Sequence, residues 1–274
     1  MKYACYFMTR NFYKHIGPSL KSLLCHADVD KVFLLTEDDD IGIKLPDKVQ
    51  VMNISGQKYF TKDSPNYVNL WAWIILMRVA LHHVFPDIDR ILTLDLDTLV
   101  VSDISELWDI PLGNNYMAGA IDVPLMGSDG TYINAGVVMW NLKQLRDGMG
   151  DRLIEELNTH YHKYPEQDAI NMLCKGHIYL LNGKYNSGTH SRTNGSPKIL
   201  HFAGKGMKTY LADERVKEYA EMDWEDCVYG ASKPKPKGVH VKKSNQFNLC
   251  GACGTILLVK DQKYCHECGK VVQW

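Results

Sequence analysis

The sequence predicts an α/β domain on a mostly parallel, two-sided sheet, followed by a basic linker and a small metal-stapled module. Two observations predict this. Over the first ~225 residues, short apolar runs of strand length alternate with segments of helical periodicity. The last 26 residues are too few to bury a core unaided, yet carry four cysteines in two C-x-x-C pairs. Hydrophobic residues at 45% and charged residues at 23% exclude a chain that is mainly disordered or collagen-like.

The elements follow in order. Tyr3–Met8 reads as a strand, and His15–Cys25 as a helix with Ile16, Leu20, Leu23 and Leu24 on one face. Val32–Thr36 and Val49–Ile54 read as strands, and Leu70–Phe85 as a helix stopped by Pro86 and Asp87. Arg90–Leu94, Met117–Ile121, Val137–Trp140, Ile178–Leu181 and Lys198–Phe202 are further strands; Asp151–Tyr164 and Gln167–Lys175 are helices. Runs apolar throughout are what a sheet covered on both faces requires.

Charge divides the chain. Residues 232–274 hold eight lysines against Asp261 and Glu267, a net of +6; with −1 for the whole chain, the body carries −7. An acidic body with a basic tail points to an acidic partner for the tail. The longest apolar run, Leu70 to Met77, is far short of the roughly 18 residues of a membrane span. The N-terminus has no export-signal pattern, so the expected location is cytoplasmic. In that setting Cys5, Cys25, Cys174 and Cys227 are expected to be small buried apolar residues.

Asp95-Leu96-Asp97 follows the strand Arg90–Leu94 directly. Ligands of open α/β sheets sit beyond the carboxyl ends of strands. Two carboxylates two residues apart, where a strand ends in a turn, can reach one point and suit Mg2+ or Mn2+. By itself the pair is a weak motif, more often merely a polar strand end.

Five pieces in order carry a resemblance. They are Thr9-Arg-Asn11-Phe-Tyr13 before a helix ending Leu20-Lys-Ser-Leu-Leu; Arg78, with Asp95-Leu96-Asp97 17 residues on; Tyr132-Ile-Asn134-Ala135-Gly-Val-Val-Met-Trp; Glu166-Gln167-Asp-Ala-Ile-Asn171; and His201-Phe-Ala-Gly204-Lys-Gly-Met-Lys208. Together they resemble glycosyltransferase family 8, retaining enzymes of the GT-A (Rossmann-like) fold that include glycogenin and lipopolysaccharide galactosyltransferases.

The resemblance implies a GT-A domain over 1–230 that moves a hexose, glucose or galactose, from a UDP-sugar. It implies Mn2+ (or Mg2+) held by Asp95, Asp97 and His201. It places Thr9, Asn11, Tyr13, Arg78, Leu96, Asn134, Ala135, Gly204 and Lys208 around the donor, and Asp122, Glu166 and Gln167 at the reacting centre. Two departures stand out. Glu166 replaces the family's usual Asp, and Lys208 lies seven residues after the His rather than six, with Lys205 as a second phosphate contact in reach. Gln167 is a poor nucleophile, which favours front-face attack over a covalent glycosyl intermediate. A metal-dependent nucleotidyltransferase also uses paired aspartates, and an inactive body serving as an adaptor is the non-enzymatic alternative.

Residues 231–247, rich in Lys and Pro, read as an extended linker. In residues 248–274, Cys250-x-x-Cys253-Gly and Cys265-x-x-Cys268-Gly, eleven residues apart, are expected to form a zinc ribbon with structural Zn2+. Lys233, Lys235, Lys237, Lys242 and Lys243 beside it could meet nucleic-acid phosphates, so the acceptor expected is a glycan, a protein or a modified nucleic acid. His82-His83 and His160-Tyr-His162 lie on expected helices with no matching carboxylate pattern and read as surface or core residues.

Overall fold

The computed structural model describes residues 1–229, apart from 69–72, 126–129, 189, 192 and 194, together with four two-residue strands further on. Seven strands form one sheet: β1 (Tyr3–Phe7), β2 (Lys31–Thr36), β3 (Val49–Asn53), β4 (Arg90–Leu94), β6 (Met117–Ile121), β7 (Ile133–Asn141) and β8 (Ile178–Leu181). Their order is β3-β2-β1-β4-β7-β6-β8. All neighbours are parallel except β7, which runs antiparallel to both β4 and β6. A two-stranded antiparallel ladder, β5 (Thr98–Val100) with β9 (Ile199–His201), sits just past β4.

Alternation along the strands divides two cores. Ala4, Tyr6 and Met8 with Val137 and Met139 belong to one; Cys5 and Phe7 with Val138 and Trp140 belong to the other. The first core is completed by α1 (Ile16–His26), whose Leu20, Leu23 and Leu24 are buried. The second is closed by Leu153 and Leu157 of α4 (Met149–Thr159) and Ala169 and Ile170 of α5 (Pro165–Leu173). Short helices α2 (Leu81–Val84) and α3 (Leu142–Leu145) join that face, and α6 (Gly206–Ala212), α7 (Glu214–Glu221) and α8 (Trp224–Tyr229) follow β9, with α7 and α8 against α1. Cys5, Cys25, Cys174 and Cys227 are free and buried.

The expected helix Leu70–Phe85 differs from what forms. Leu70–Ala72 lie outside the described residues; Trp73–Ala80 is a 3₁₀ helix and only Leu81–Val84 is α. The tighter winding aligns residues three apart, so Ile74, Met77 and Ala80 share one buried edge. β5 and the helices after β9 have no counterpart in the sequence reading, because three-residue and six- to eight-residue elements carry too little periodicity to register.

The cysteines Cys250, Cys253, Cys265 and Cys268 lie outside the described residues. In the segment read as linker, Val239–His240 pairs in parallel with Val272–Gln273, and Lys242–Lys243 pairs antiparallel with Asn248–Leu249. Among the described residues no helix is long and apolar enough to cross a membrane.

Candidate active site

β1 has β2 on one side and β4 on the other, and the chain passes from β3 across to β4 through the 3₁₀ segment. The crevice at such a reversal is where open α/β sheets bind ligands. Here it holds a cavity of about 640 Å³, lined at the sheet end by Met8, Thr9, Asp95, Leu96, Asp97 and Ala135.

Asp95 leaves the end of β4 with its amide donating to Gly136 O at 2.8 Å, and Thr98 Oγ1 donates back to Asp95 O at 2.7 Å. This closes the turn that aims both aspartates at one point. β5 begins at once, and its pairing sets His201 opposite Thr98. His201 Nε2 then lies 3.4 Å from Asp95 Oδ2 and 3.3 Å from Asp97 Oδ1. The other ring nitrogen, Nδ1, is 2.8 Å from Asn186 Oδ1, so Asn186 orients the imidazole.

The donor set fits a divalent ion. One imidazole and two carboxylates present ligand atoms within 4.8 Å of one another. The close approach depends on Gly136, where a Cβ would sit 2.1 Å from His201 Cε1 and 2.7 Å from Asp95 Oδ2.

Behind the carboxylates Arg78 organises the floor. Its side chain is 5% exposed and pairs with Asp95 and, at 2.8 Å, with Glu166 Oε1, while Nη1 also reaches Ala135 O at 3.2 Å. Glu166 is on the first turn of α5; burial pushes its carboxyl up to about 7 even with Arg78 alongside. Asp95 is half-buried, and the Arg78 and His201 charges hold it well below the usual carboxylate range. Gln167 Oε1 accepts from the Ala135 amide at 2.8 Å, tying α5 to β7. Asn134 Nδ2 donates to Asp122 Oδ2 at 3.0 Å, and its Oδ1 accepts from Asn186 Nδ2 at 2.9 Å.

The structure thus brings Asp95, Leu96, Asp97, His201, Arg78, Asp122, Asn134, Ala135, Glu166, Gln167, Thr9 and Gly204 to one cavity. Asn11, Tyr13 and Lys208 are not among its lining residues. Phe12 lines it instead, while the Tyr13 hydroxyl accepts from the Glu37 amide at 2.9 Å and donates to Asp38 at 3.1 Å. Lys205 and Lys208 are exposed, flanking Met207, which does line the cavity. Sequence reading missed Asn186, Gly136 and His190. Burial and the neighbouring His201 charge push the His190 ring down to about 4, and it stands edge-on to His201 at 4.9 Å.

The cluster makes a pH prediction. Burial opposes the His201 proton, but Asp95 and Asp97 outweigh it and carry the ring up to about 9. In the metal-free protein this protonated ring stabilises the fold fully below the unfolded histidine value, and the contribution is lost as pH rises through about 9. An ion must displace that proton, so Mn2+ affinity is expected to rise up to about tenfold per pH unit between roughly pH 6.5 and 9. Calorimetry at pH 7.5 in buffers of different ionisation enthalpy is expected to show about one proton released per ion. His201→Gln should abolish that release; no release by the unaltered protein would contradict the protonated ring.

A parallel-dominated sheet, an ion-fitting acid pair past β4, and walls from β7 and α5 frame the cavity. The Glycosyl transferase family 8 profile matches residues 5–213, and the chain belongs to that family. It is 29% identical over 135 residues to a putative glycosyltransferase of Haemophilus influenzae, a match covering 44% of this chain and 40% of that one. It is 30% identical over 135 residues to an Escherichia coli lipopolysaccharide 1,2-glucosyltransferase, covering 43% and 40%. Both matches thus span about two fifths of the relative's length. The structure of galactosyltransferase LgtC with donor and acceptor sugar analogues superposes with a TM-score of 0.62 at 20% identity, covering 80% of this chain and 95% of that one. The Streptococcus pneumoniae glycosyltransferase GlyE superposes at 0.61 with 20% identity, covering 84% and 62%. At such identities the likeness is one of fold.

Proposed function

We propose that the chain is a retaining, metal-dependent hexosyltransferase that moves glucose or galactose from a UDP-sugar to a glycan, protein or modified nucleic-acid acceptor. The observation that carries this reading is the convergence of Asp95, Asp97 and His201 at one end of a cavity whose other walls are Arg78, Glu166, Asn134 and Asp122. A divalent ion held by Asp95, Asp97 and His201, Mn2+ by preference, supplies Lewis-acid stabilisation of the diphosphate leaving group.

The chain's own residues do the rest. Thr9, Leu96 and the apolar wall of Phe12 receive the nucleotide, and Gly204 at φ 72° lets backbone approach phosphate, with Lys208 or Lys205 supplying charge. Asp122 and Asn134, fixed to each other, bind sugar hydroxyls. Glu166, near 7, both donates and accepts at neutral pH, and Arg78 holds it in place. Gln167 has its carbonyl oxygen committed to β7, which supports an orienting role rather than a nucleophilic one. Retention then proceeds by front-face attack, with a leaving-phosphate oxygen taking the acceptor proton.

We read residues 248–274 as a zinc ribbon on the C-x-x-C-Gly spacing, and 231–247 as the basic segment that attracts an acidic acceptor. Buried unpaired thiols in the body support a cytoplasmic setting.

Incubation with UDP-glucose or UDP-galactose, Mn2+ and no added acceptor tests the reaction. Slow UDP release is expected, and Asp97→Ala is expected to lower it by about 100-fold or more, the scale on which loss of one preorganised charge-stabilising group acts. Transfer of a nucleotide to an acceptor would replace this reading with the nucleotidyltransferase; absence of UDP binding would leave an adaptor.

A further inference from the structure

We propose that His82, His83 and Asp151 form a second metal site, for a first-row divalent ion of the Zn2+ type, that joins α2 to the first turn of α4. The proposal is independent of the transfer reaction, and none of the three residues lines the catalytic cavity.

Three observations carry it. First, the donors converge. His83 Nε2 is 2.6 Å and His82 Nε2 3.5 Å from the same Asp151 oxygen, and all three ligand atoms lie within 4.8 Å of one another. The sequence reading found no carboxylate for this histidine pair because Asp151 is 68 residues from His83.

Second, His82 is set as a ligand would be. Its side chain is 2% exposed. Nδ1 donates to Val79 O at 3.1 Å, which fixes the tautomer and leaves the Nε2 lone pair facing Asp151. Buried Nε2 has no hydrogen-bond partner. A buried imidazole nitrogen aimed at a second histidine and a carboxylate is satisfied by an ion.

Third, the surroundings hold the group together. Gly150 lets α4 approach: a Cβ there would lie 2.3 Å from His82 Cε1 and 2.6 Å from its Nε2. Tyr59 stacks on the His83 ring at 5.2 Å and 7°. The side chains of His83 and Asp151 are 39% and 65% exposed, so an ion with its waters has an approach from solvent.

The ligand types select the ion. Two imidazoles and one carboxylate suit Zn2+ and its first-row neighbours, whereas the two carboxylates and one imidazole at Asp95, Asp97 and His201 suit Mn2+ or Mg2+. The 3₁₀ segment that bears Arg78 runs directly into His82, so an ion here would clamp that segment to α4.

The test is Zn2+ binding by the full chain in an Asp97→Asn background, which weakens binding at the catalytic group while leaving the four C-terminal cysteines equal in every arm. Equilibrium dialysis against buffered Zn2+ compares this protein with versions that also carry His83→Gln or Asp151→Asn. One ion fewer per chain is expected in the latter, or an affinity for that ion lower by at least about 10–100-fold, the range that even outer-shell ligand partners command. The Zn2+-dependent rise in Tm is expected to shrink in the same variants. Both substitutions are at exposed side chains, and circular dichroism checks that each variant is folded; if one is not, the other carries the comparison. Equal stoichiometry and affinity in all arms, or an anomalous zinc signal in crystals only at other positions, would overturn the proposal.

Discussion

Gly136→Ala is expected to lower Mn2+ affinity by about 10–100-fold and to cost about 1–3 kcal/mol of stability, the usual ranges for disturbing a ligand's support and for forcing volume into a packed site. The argument is steric. A Cβ on residue 136 would fall 2.1 Å from His201 Cε1, 2.8 Å from its Nδ1 and 2.7 Å from Asp95 Oδ2. None of these atoms is the free end of a flexible chain. The His201 ring is fixed by Asn186 and by the pairing of β9 with β5, and the Asp95 amide is bonded to Gly136 O itself. Either the imidazole swings away and the donor set loses a member, or β7 moves in the middle of the sheet. Gly119→Ala is the control. Its Cβ would meet mainly Ile133 Cδ1, at 2.5 Å, the terminal methyl of a side chain that can rotate. Calorimetric Mn2+ titration and urea unfolding of the two variants decide the matter. A Gly136→Ala protein that binds Mn2+ like the unaltered chain would remove the close-packed account of the site.

What was legible in the sequence follows from the range of the interactions that build each feature. β4 and the aspartates beyond it were legible because an apolar run and the two charges that end it are adjacent in the chain, and the strand forms over Arg90–Leu94 as read. β7 was read as Val137–Trp140 but begins at Ile133. Asn134 at its start looks like a turn residue locally, and only its bonds to Asp122, Asn186 and the Gly136 amide give it a place in the sheet. His201, the last residue of a three-residue strand, has no local signature of ligation; it entered through the family resemblance. Asn186, which orients it from 15 residues upstream, and Asp151, which meets His83 from 68 residues downstream, are set by tertiary pairing. No periodicity encodes such contacts. Gly136 was in plain sight within Asn134-Ala-Gly, but a missing Cβ has meaning only when the atoms filling its space are known.

Arg78→Met carries the largest expected loss of stability, up to about 3–5 kcal/mol above pH 7, where Glu166 is ionised in the unaltered protein and would lose its partner charge. Arg78 and Glu166 have side chains only 5% and 6% exposed, and the guanidinium stands against the Phe7 ring at 5.7 Å. Removing the cation leaves Glu166 and Asp95 facing each other with nothing between them. Asp95, 30% exposed, can relax toward water; Glu166 cannot. The pH dependence has a definite sign. Burial already raises Glu166 to about 7, so the native state holds its proton more tightly than the unfolded chain does. This group therefore makes the fold less stable as pH rises from the unfolded carboxyl value to about 7. Without Arg78 the carboxyl rises further and the decline continues to higher pH, so the penalty should be larger at pH 8 than at pH 6. Glu166→Gln removes the buried charge, and the double variant Arg78→Met, Glu166→Gln should recover a large part of the loss, giving a coupling between the two sites well above the roughly 0.5 kcal/mol expected of independent positions. Urea unfolding of the four proteins at both pH values measures the cycle. An Arg78→Met penalty that is small, or flat with pH, would mean that the guanidinium does not neutralise Glu166, and that the floor of the cavity is held by α5 and β7 through Gln167 instead.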